Sequence, residues 1–491
     1  MRKSSAELEP DAFRAAGHQL VDRIADFLRA LPNLPVAPDS TPSEIRGLIG
    51  APAAVPNAGA DANVILAEAA ELFFKHSTFN GHPRFFGYIT SSAAPIGALA
   101  DLLAATVNAN CGAWALSPMA TEIERQAVRW IAELIGYAPN AGGILVSGGN
   151  MANMVALMTG LRSVAGHDVR SLGVSGGAKL AIYASSEVHT WFQKGADTCG
   201  LGTDAVRSIP VDESLAMDIS ALERQIREDL DDGWKPAFVV GTAGTVSTGA
   251  IDPLREIGAL CAEHGIWFHV DGAYGAPAAM VPDAPDELIA LSIADSVAVD
   301  PHKWLYAPLE AGCTLVRDPQ KLLNAFSFHP VYYRFGGVAE DPPTNFYEWG
   351  PQNSRGNRAL KVWATIRQSG REGYVKMISE DIEISREMYR LAAEHDELEA
   401  LTQSLSIATF RYVPPELRAG IGSPDVEKYL NELNSKLLER LQAGGEVYLS
   451  NAVIGGSFAL RACVVNFRTT MADAKTLIDA SVREGWALHR R

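Results

Sequence analysis

Between about residue 140 and residue 316, short apolar runs alternate with stretches of helical period, and this alternation constrains the fold most. Runs at 142–146, 178–184, 235–240, 266–270 and 294–299 read as strands, and helical segments separate them. Strands joined through helices signal a mostly parallel sheet. Sheets of that kind place their ligands at the carboxyl ends of the strands. Ser147, His189, Thr245, Asp271 and Lys303 all follow strands, so they are expected to converge on one edge.

Each of these residues suggests a chemistry. The last strand stops at Asp300-Pro301-His302-Lys303-Trp304, because proline cannot donate into a sheet ladder. A lysine in a sheltered apolar pocket loses proton affinity and becomes a nucleophilic amine, suited to a Schiff base with an aldehyde cofactor. Ser147-Gly148-Gly149-Asn150 lies between a strand and a helix expected over 151–162. Backbone N–H groups and the helix dipole there would cradle a phosphate. The turn matches neither GxxxxGK[ST] nor GxGxxG, so neither a nucleoside triphosphate nor a dinucleotide is indicated. Asp271 ends a fully apolar run, where a carboxylate is costly without a cationic partner. No lysine or arginine neighbours it in sequence, and a protonated ring nitrogen on a ligand would serve. His189 adds an aromatic ring, and Thr245 sits in a small hydroxyl-rich turn.

The 491 residues allow two or three domains. Residues 1–95 form an expected helical arm, 96–370 a large domain and 371–491 a small α+β domain. A helix over 11–31 followed by a Pro- and Ala-rich segment cannot bury both faces alone, a hint of a dimer. The formal charge of −16 argues against nucleic acid. Five cysteines without metal-like spacing suggest reduced thiols in a cytoplasmic protein. No signal h-region or long apolar run is present, so neither secretion nor a membrane span is expected.

Asp300-Pro301-His302-Lys303-Trp304 and His269-Val270-Asp271-Gly272-Ala273-Tyr274 together resemble the pyridoxal-5′-phosphate (PLP) group II decarboxylases, the family of the aromatic-L-amino-acid decarboxylases. The resemblance spans nearly the whole chain, from Phe13 onwards. It implies an aspartate-aminotransferase-like (fold type I) α/β architecture, with a large mostly parallel seven-stranded sheet, in a homodimer with shared sites. By position, Lys303 resembles the Schiff-base lysine, Asp271 the partner of the pyridinium nitrogen, His189 the ring stacked on the cofactor and Ala273 the contact on its other face. Ser147, Gly148, Gly149, Asp300 and His302 fall where the family holds the phosphate. Asp300 would repel that phosphate unless its side chain accepted backbone N–H groups instead.

His82 to Ser92, rich in aromatics, suits the wall of a pocket for a flat substrate. Phe86, Tyr88, Ile89 and Thr90 are candidate substrate contacts, with Asn110, Gly112, Trp114 and Ser354. Asn110 and Gly112 stand where animal dopa decarboxylases carry bulky apolar residues, which implies a wider or more polar pocket. Ser354 stands where plant relatives use serine for phenolic substrates. Pro330-Val331-Tyr332 resembles the family's catalytic loop, whose tyrosine helps protonate Cα after CO₂ leaves, and Tyr333 stands beside it. Relatives with phenylalanine there divert to an aldehyde. Arg355 resembles a family site residue, but an exposed charge at a helix start is the expectation. The implied activity is decarboxylation of an aromatic L-amino acid. The alternatives are an aldehyde synthase, other PLP chemistry such as transamination, and a catalytically silent relative.

Overall fold

The computed structural model describes residues 4–50, 53–328 and 342–490. Its centre is a seven-stranded sheet: β1 Gly142–Val146, β2 Leu180–Ser185, β3 Val206–Ile209, β4 Lys235–Thr242, β5 Trp267–Asp271, β6 Ser296–Val299 and β7 Gly312–Val316. The order is β1-β7-β6-β5-β4-β2-β3. All run parallel except β7, which is antiparallel to both its neighbours. The carboxyl ends of β1, β2, β4, β5 and β6 therefore share one edge.

Side chains alternate across a strand, and here the two sets enter separate cores. Ile182, Ala184, Phe238, Val240 and Trp267 face one side, with the helix Gly148–Val164. Ala181, Tyr183, Val239, Phe268 and Val270 face the other, with the helix Pro118–Leu134. Both faces are covered, which is why these strands read as nearly continuous apolar runs.

A second, antiparallel sheet has the order β10-β11-β9-β8, from β8 Leu398–Ser404, β9 Ile407–Tyr412, β10 Ser450–Ile454 and β11 Ser457–Cys463. The helices Pro424–Ala443 and Met471–His489 close its core with the end of a long helix, Ala359–Ala393. That long helix is broken at Gly370, where φ is 62° and ψ 172°. We propose the domain division 1–95, 96–370 and 371–491, with this break as the second boundary.

β8 and β9 form a hairpin that turns at Leu405, with φ 46°. Tyr448 makes an isolated bridge to Phe85. In the arm, the helices Pro10–Ala30 and Ala62–His76 meet through Phe27 and Phe74, stacked with centroids 4.4 Å apart.

Candidate active site

At the shared strand edge lies a cavity of about 200 Å³. The turn after β5 supplies Asp271, Ala273 and Tyr274, and the turn after β6 supplies Asp300, His302 and Lys303. Gly149, Asn150 and Asn153 come from the first turns of the helix Gly148–Val164, His189 follows β2, and Ile89 comes from the irregular segment before residue 95. The sheet topology alone thus brings together Gly149 and Lys303, 154 positions apart.

Lys303 does not sit in the apolar setting expected of it. Its Nζ lies 3.0 Å from the Asp300 carboxylate, which is 2 % exposed. Asp300 thus pairs with the amine instead of accepting backbone N–H groups, and its Oδ1 has no partner among the described residues. The His302 Nε2 is 3.8 Å from the same carboxylate, while Nδ1 lies 2.6 Å from the Ala311 carbonyl. Across from Asp300 runs the helix start. Ser147 makes no side-chain cap and Gly148 has φ 80°, so the first N–H groups are open to an anion. A Cβ on Gly149 would stand 2.4 Å from Asp300 Oδ2. Gly149→Ala is therefore expected to push Asp300 off Lys303. It should weaken cofactor binding at least about tenfold, for an overpacking cost above about 1 kcal/mol, by titration of cofactor-free protein.

Asp271 is 7 % exposed, and its two acceptor bonds come from neutral donors. The Trp191 indole N–H donates to Oδ2 at 2.7 Å and the Ala273 N–H to Oδ1 at 3.2 Å. Among the described residues no basic side chain forms an ion pair with it. His189 accepts the Trp191 backbone N–H at Nδ1, 3.2 Å away. Burial lowers its pKa, and Lys303 adds to that, so the ring at the cavity wall is neutral.

Beneath the site lies a network that the sequence reading did not anticipate. The Trp267 indole N–H donates to Ser296 Oγ at 2.8 Å. The Ser296 hydroxyl then donates to His269 Nδ1 at 2.8 Å, and His269 Nε2–H donates to Asn153 Oδ1 at 2.7 Å. Asn153 lines the cavity, so this buried chain orients one wall of it. Burial holds the His269 pKa down to about 4, against the pull of Asp271. A depressed histidine stabilises the fold fully above about pH 6.5, and that stability is lost as pH falls through 4. Between those pH values the protein is expected to lose about 3 kcal/mol more than His269→Gln, by urea unfolding.

Other expected contacts lie elsewhere. Thr245 is fully buried with its hydroxyl 3.0 Å from that of Thr248, and does not line the cavity. It is out of phase with Thr242, Gly244 and Val246, which alternate along the chain and line the cavity instead. Of the eight expected substrate contacts only Ile89 lines the cavity. Phe86 is buried in the core of the second sheet, Tyr88 is exposed with φ 53°, and the Thr90 hydroxyl is buried without a partner. Asn110, Gly112, Trp114 and Ser354 belong to a different patch. There Asn110 accepts the Arg355 N–H, Gly112 lies against the Asn353 carbonyl, and the Trp114 N–H donates to Asn345. Ser354 is exposed. Tyr332 and Tyr333 lie outside the described residues.

Arg355 is no exposed charge. It is 4 % exposed and clamps both oxygens of Glu124, at 3.0 and 2.5 Å, while donating to the Cys111 and Leu145 carbonyls. Glu124 lies 231 positions away, which is why the pair was not legible. A second unanticipated cation is Arg461 on β11, 1 % exposed, bonded to the Tyr88 carbonyl and Ser450, with Nε and one terminal nitrogen unpartnered among the described residues.

Comparison with known proteins decides the family. The pyridoxal-dependent decarboxylase conserved domain matches residues 42–413. The chain belongs to the pyridoxal-dependent decarboxylases. This decarboxylase is 31 % identical over 465 residues to an aromatic-L-amino-acid decarboxylase of Bacillus atrophaeus, covering 94 % of this chain and 93 % of the relative. It is 30 % identical over 471 residues to a phenylacetaldehyde synthase of Petunia hybrida, covering 94 % and 92 %. The crystal structure of Oryza sativa TDC with PLP and tryptamine superposes with a TM-score of 0.91 at 27 % identity, covering 99 % of this chain and all of that one. The enzyme is a carboxy-lyase of fold type I that uses PLP.

The cavity's chemistry fits that cofactor. It offers an amine, an open helix start for a phosphate, and a buried carboxylate answered only by neutral donors, which suits a protonated ring nitrogen.

Proposed function

We propose that the enzyme releases CO₂ from an aromatic L-amino acid to leave the amine, with Lys303, Asp271, His189 and Tyr332 as catalytic residues. The observation that carries this is the uncompensated Asp271 carboxylate in the same small cavity as Lys303. Lys303 would hold the cofactor's aldehyde carbon. Ser147, Gly148, Gly149 and His302 would hold its phosphate, and Ala273 would pack on the ring face opposite His189. Asp300, paired with Lys303, orients the amine and takes no direct part in phosphate binding.

When bound, PLP supplies an electron sink for the pair released at the substrate's Cα. Asp271 would keep a proton on the ring nitrogen, which would deepen that sink. His189, neutral at the cavity wall with Asp271, would cover the ring and exclude water. The pocket's grip on the substrate would select the bond that breaks, presenting the carboxylate to leave as CO₂. Tyr332 would return a proton to Cα.

The aromatic preference draws support from the Bacillus relative's name and from tryptamine in the Oryza structure. A screen of CO₂ release across Trp, Tyr, dopa, Phe, His and Glu tests it, and faster release from Glu or His than from every aromatic would overturn it. The name of the Petunia relative favours one alternative product, an aldehyde. Tyr332 argues for the amine, so Tyr332→Phe is expected to raise the aldehyde share severalfold in product analysis. An unchanged ratio would remove Tyr332 from its role.

We also propose a homodimer with sites at the interface. Phe13, Phe73, Leu102, Leu103 and Val107 expose apolar surface along the arm and the helix Pro95–Val107, which a second copy would cover. The patch holding Asn110, Gly112, Trp114 and Ser354 would then complete the partner's cavity. None of the five cysteines is in a disulfide, which supports a cytoplasmic setting.

A further inference from the structure

The turn that presents Lys303 is held from behind by a residue of the long helix. Asp381, beyond the Gly370 break, is 1 % exposed. Its Oδ2 accepts the Trp304 indole N–H at 2.8 Å and the Tyr306 hydroxyl at 2.6 Å. Both donors are buried, and no basic side chain among the described residues forms an ion pair with Asp381. A carboxylate buried without a cation is costly, so its two short bonds need a reason.

The local backbone gives one. Tyr306 has φ 55°, a conformation that a bulky non-glycine residue adopts only under outside constraint. Its N–H donates to the Lys303 carbonyl at 2.9 Å, and the Lys303 N–H donates to the Asp300 carbonyl at 2.9 Å. Releasing Tyr306 would therefore loosen the lysine's own turn. Trp304 acts on a second distance. Its ring stacks on Tyr274, with centroids 4.7 Å apart and planes 25° apart, and Tyr274 follows Asp271 by three residues. The Tyr274 hydroxyl is fixed in turn by Ser406, 2.6 Å away, between β8 and β9. The Trp304 ring thus spaces the Lys303 turn from the Asp271 turn, and Asp381 sets its orientation.

We propose that Asp381 is a positioning residue for Lys303, holding through Trp304 and Tyr306 both the amine's turn and its spacing from Asp271. The inference rests on the reading of Lys303 and Asp271 as groups at two ends of one cofactor. Assayed at a pH above about 7, the value to which burial raises the Asp381 carboxyl, Asp381→Asn keeps the side chain's size but removes the charge that strengthens both bonds. It is expected to lower kcat about tenfold with KM within about twofold, since the substrate's own contacts are untouched. Cofactor-free Asp381→Asn should also take up PLP about tenfold more slowly, read by absorbance. Tyr306→Phe should lower both rates about threefold, and the double variant should be no worse than Asp381→Asn alone. Glu380→Gln, the exposed neighbour on the same helix, serves as the unchanged control.

A folded Asp381→Asn with kcat and uptake within twofold of the parent would overturn the proposal, as would additive losses in the double variant. If Asp381→Asn does not fold, Tyr306→Phe decides: a threefold fall in both rates supports it, and parental rates overturn it. Lys303→Ala, assayed alongside, separates the two readings. Its retained turnover would remove the site assignment itself, whereas its loss with a parental Asp381→Asn removes only the role of Asp381.

Discussion

Lys303→Ala is expected to reduce CO₂ release by at least about 1000-fold while the protein stays folded, because it removes the amine proposed to capture the cofactor. The fold should survive for a specific reason. The Lys303 side chain is partly exposed to the cavity, and its recorded ion pair is to Asp300. Truncation leaves Asp300 near His302, and the turn keeps its bonds from Ser91 and Asp381. An unchanged circular dichroism spectrum with turnover lost would satisfy the expectation. Turnover within tenfold of the parent would rule out Lys303 as the cofactor's anchor.

Asp271→Asn is expected to cost on the order of 100- to 1000-fold in kcat, the scale of losing one preorganised electrostatic partner in a dry site. An amide matches the carboxylate in size but has one acceptor oxygen, so it keeps only one of the Trp191 and Ala273 N–H groups, which meet different oxygens of Asp271. It cannot stabilise a proton on a ring nitrogen. Substrate KM should move little, because in the proposed role Asp271 would touch the cofactor's far end and not the amino acid. A fall in KM-dominated efficiency with kcat intact would place Asp271 at the substrate instead.

Much of the fold was legible because buried strands must be apolar on both faces and must end where proline, aspartate or glycine breaks them. Lys303, Asp271, His189 and Gly149 could be brought together before any coordinates, since parallel connections put every strand's carboxyl end on one edge. Other features carried no local signal. β3 is four residues long with Arg207 and Ser208 inside it, and the β8–β9 turn has no glycine, proline or asparagine. The Arg355–Glu124 pair and the His269–Asn153 bond join residues distant in sequence. Thr245 follows a strand, but that position does not fix its face: Thr242, Gly244 and Val246 line the cavity, and Thr245, out of phase with them, lies buried against Thr248. Phe86 looked like a pocket wall because its aromatic neighbours gave no sign that the second sheet would claim it.

The reversed strand β7 has a mechanical consequence. It begins eight residues after Trp304, at Gly312, and pairs there with Val146, the last residue before the phosphate turn. Amine and cradle are thus yoked through one short span at the β1 edge of the sheet. A shear of β2 and β3 at the opposite edge would leave their separation nearly constant, so the spacing of amine and cradle should tolerate drift at that margin far better than any insertion between 304 and 312.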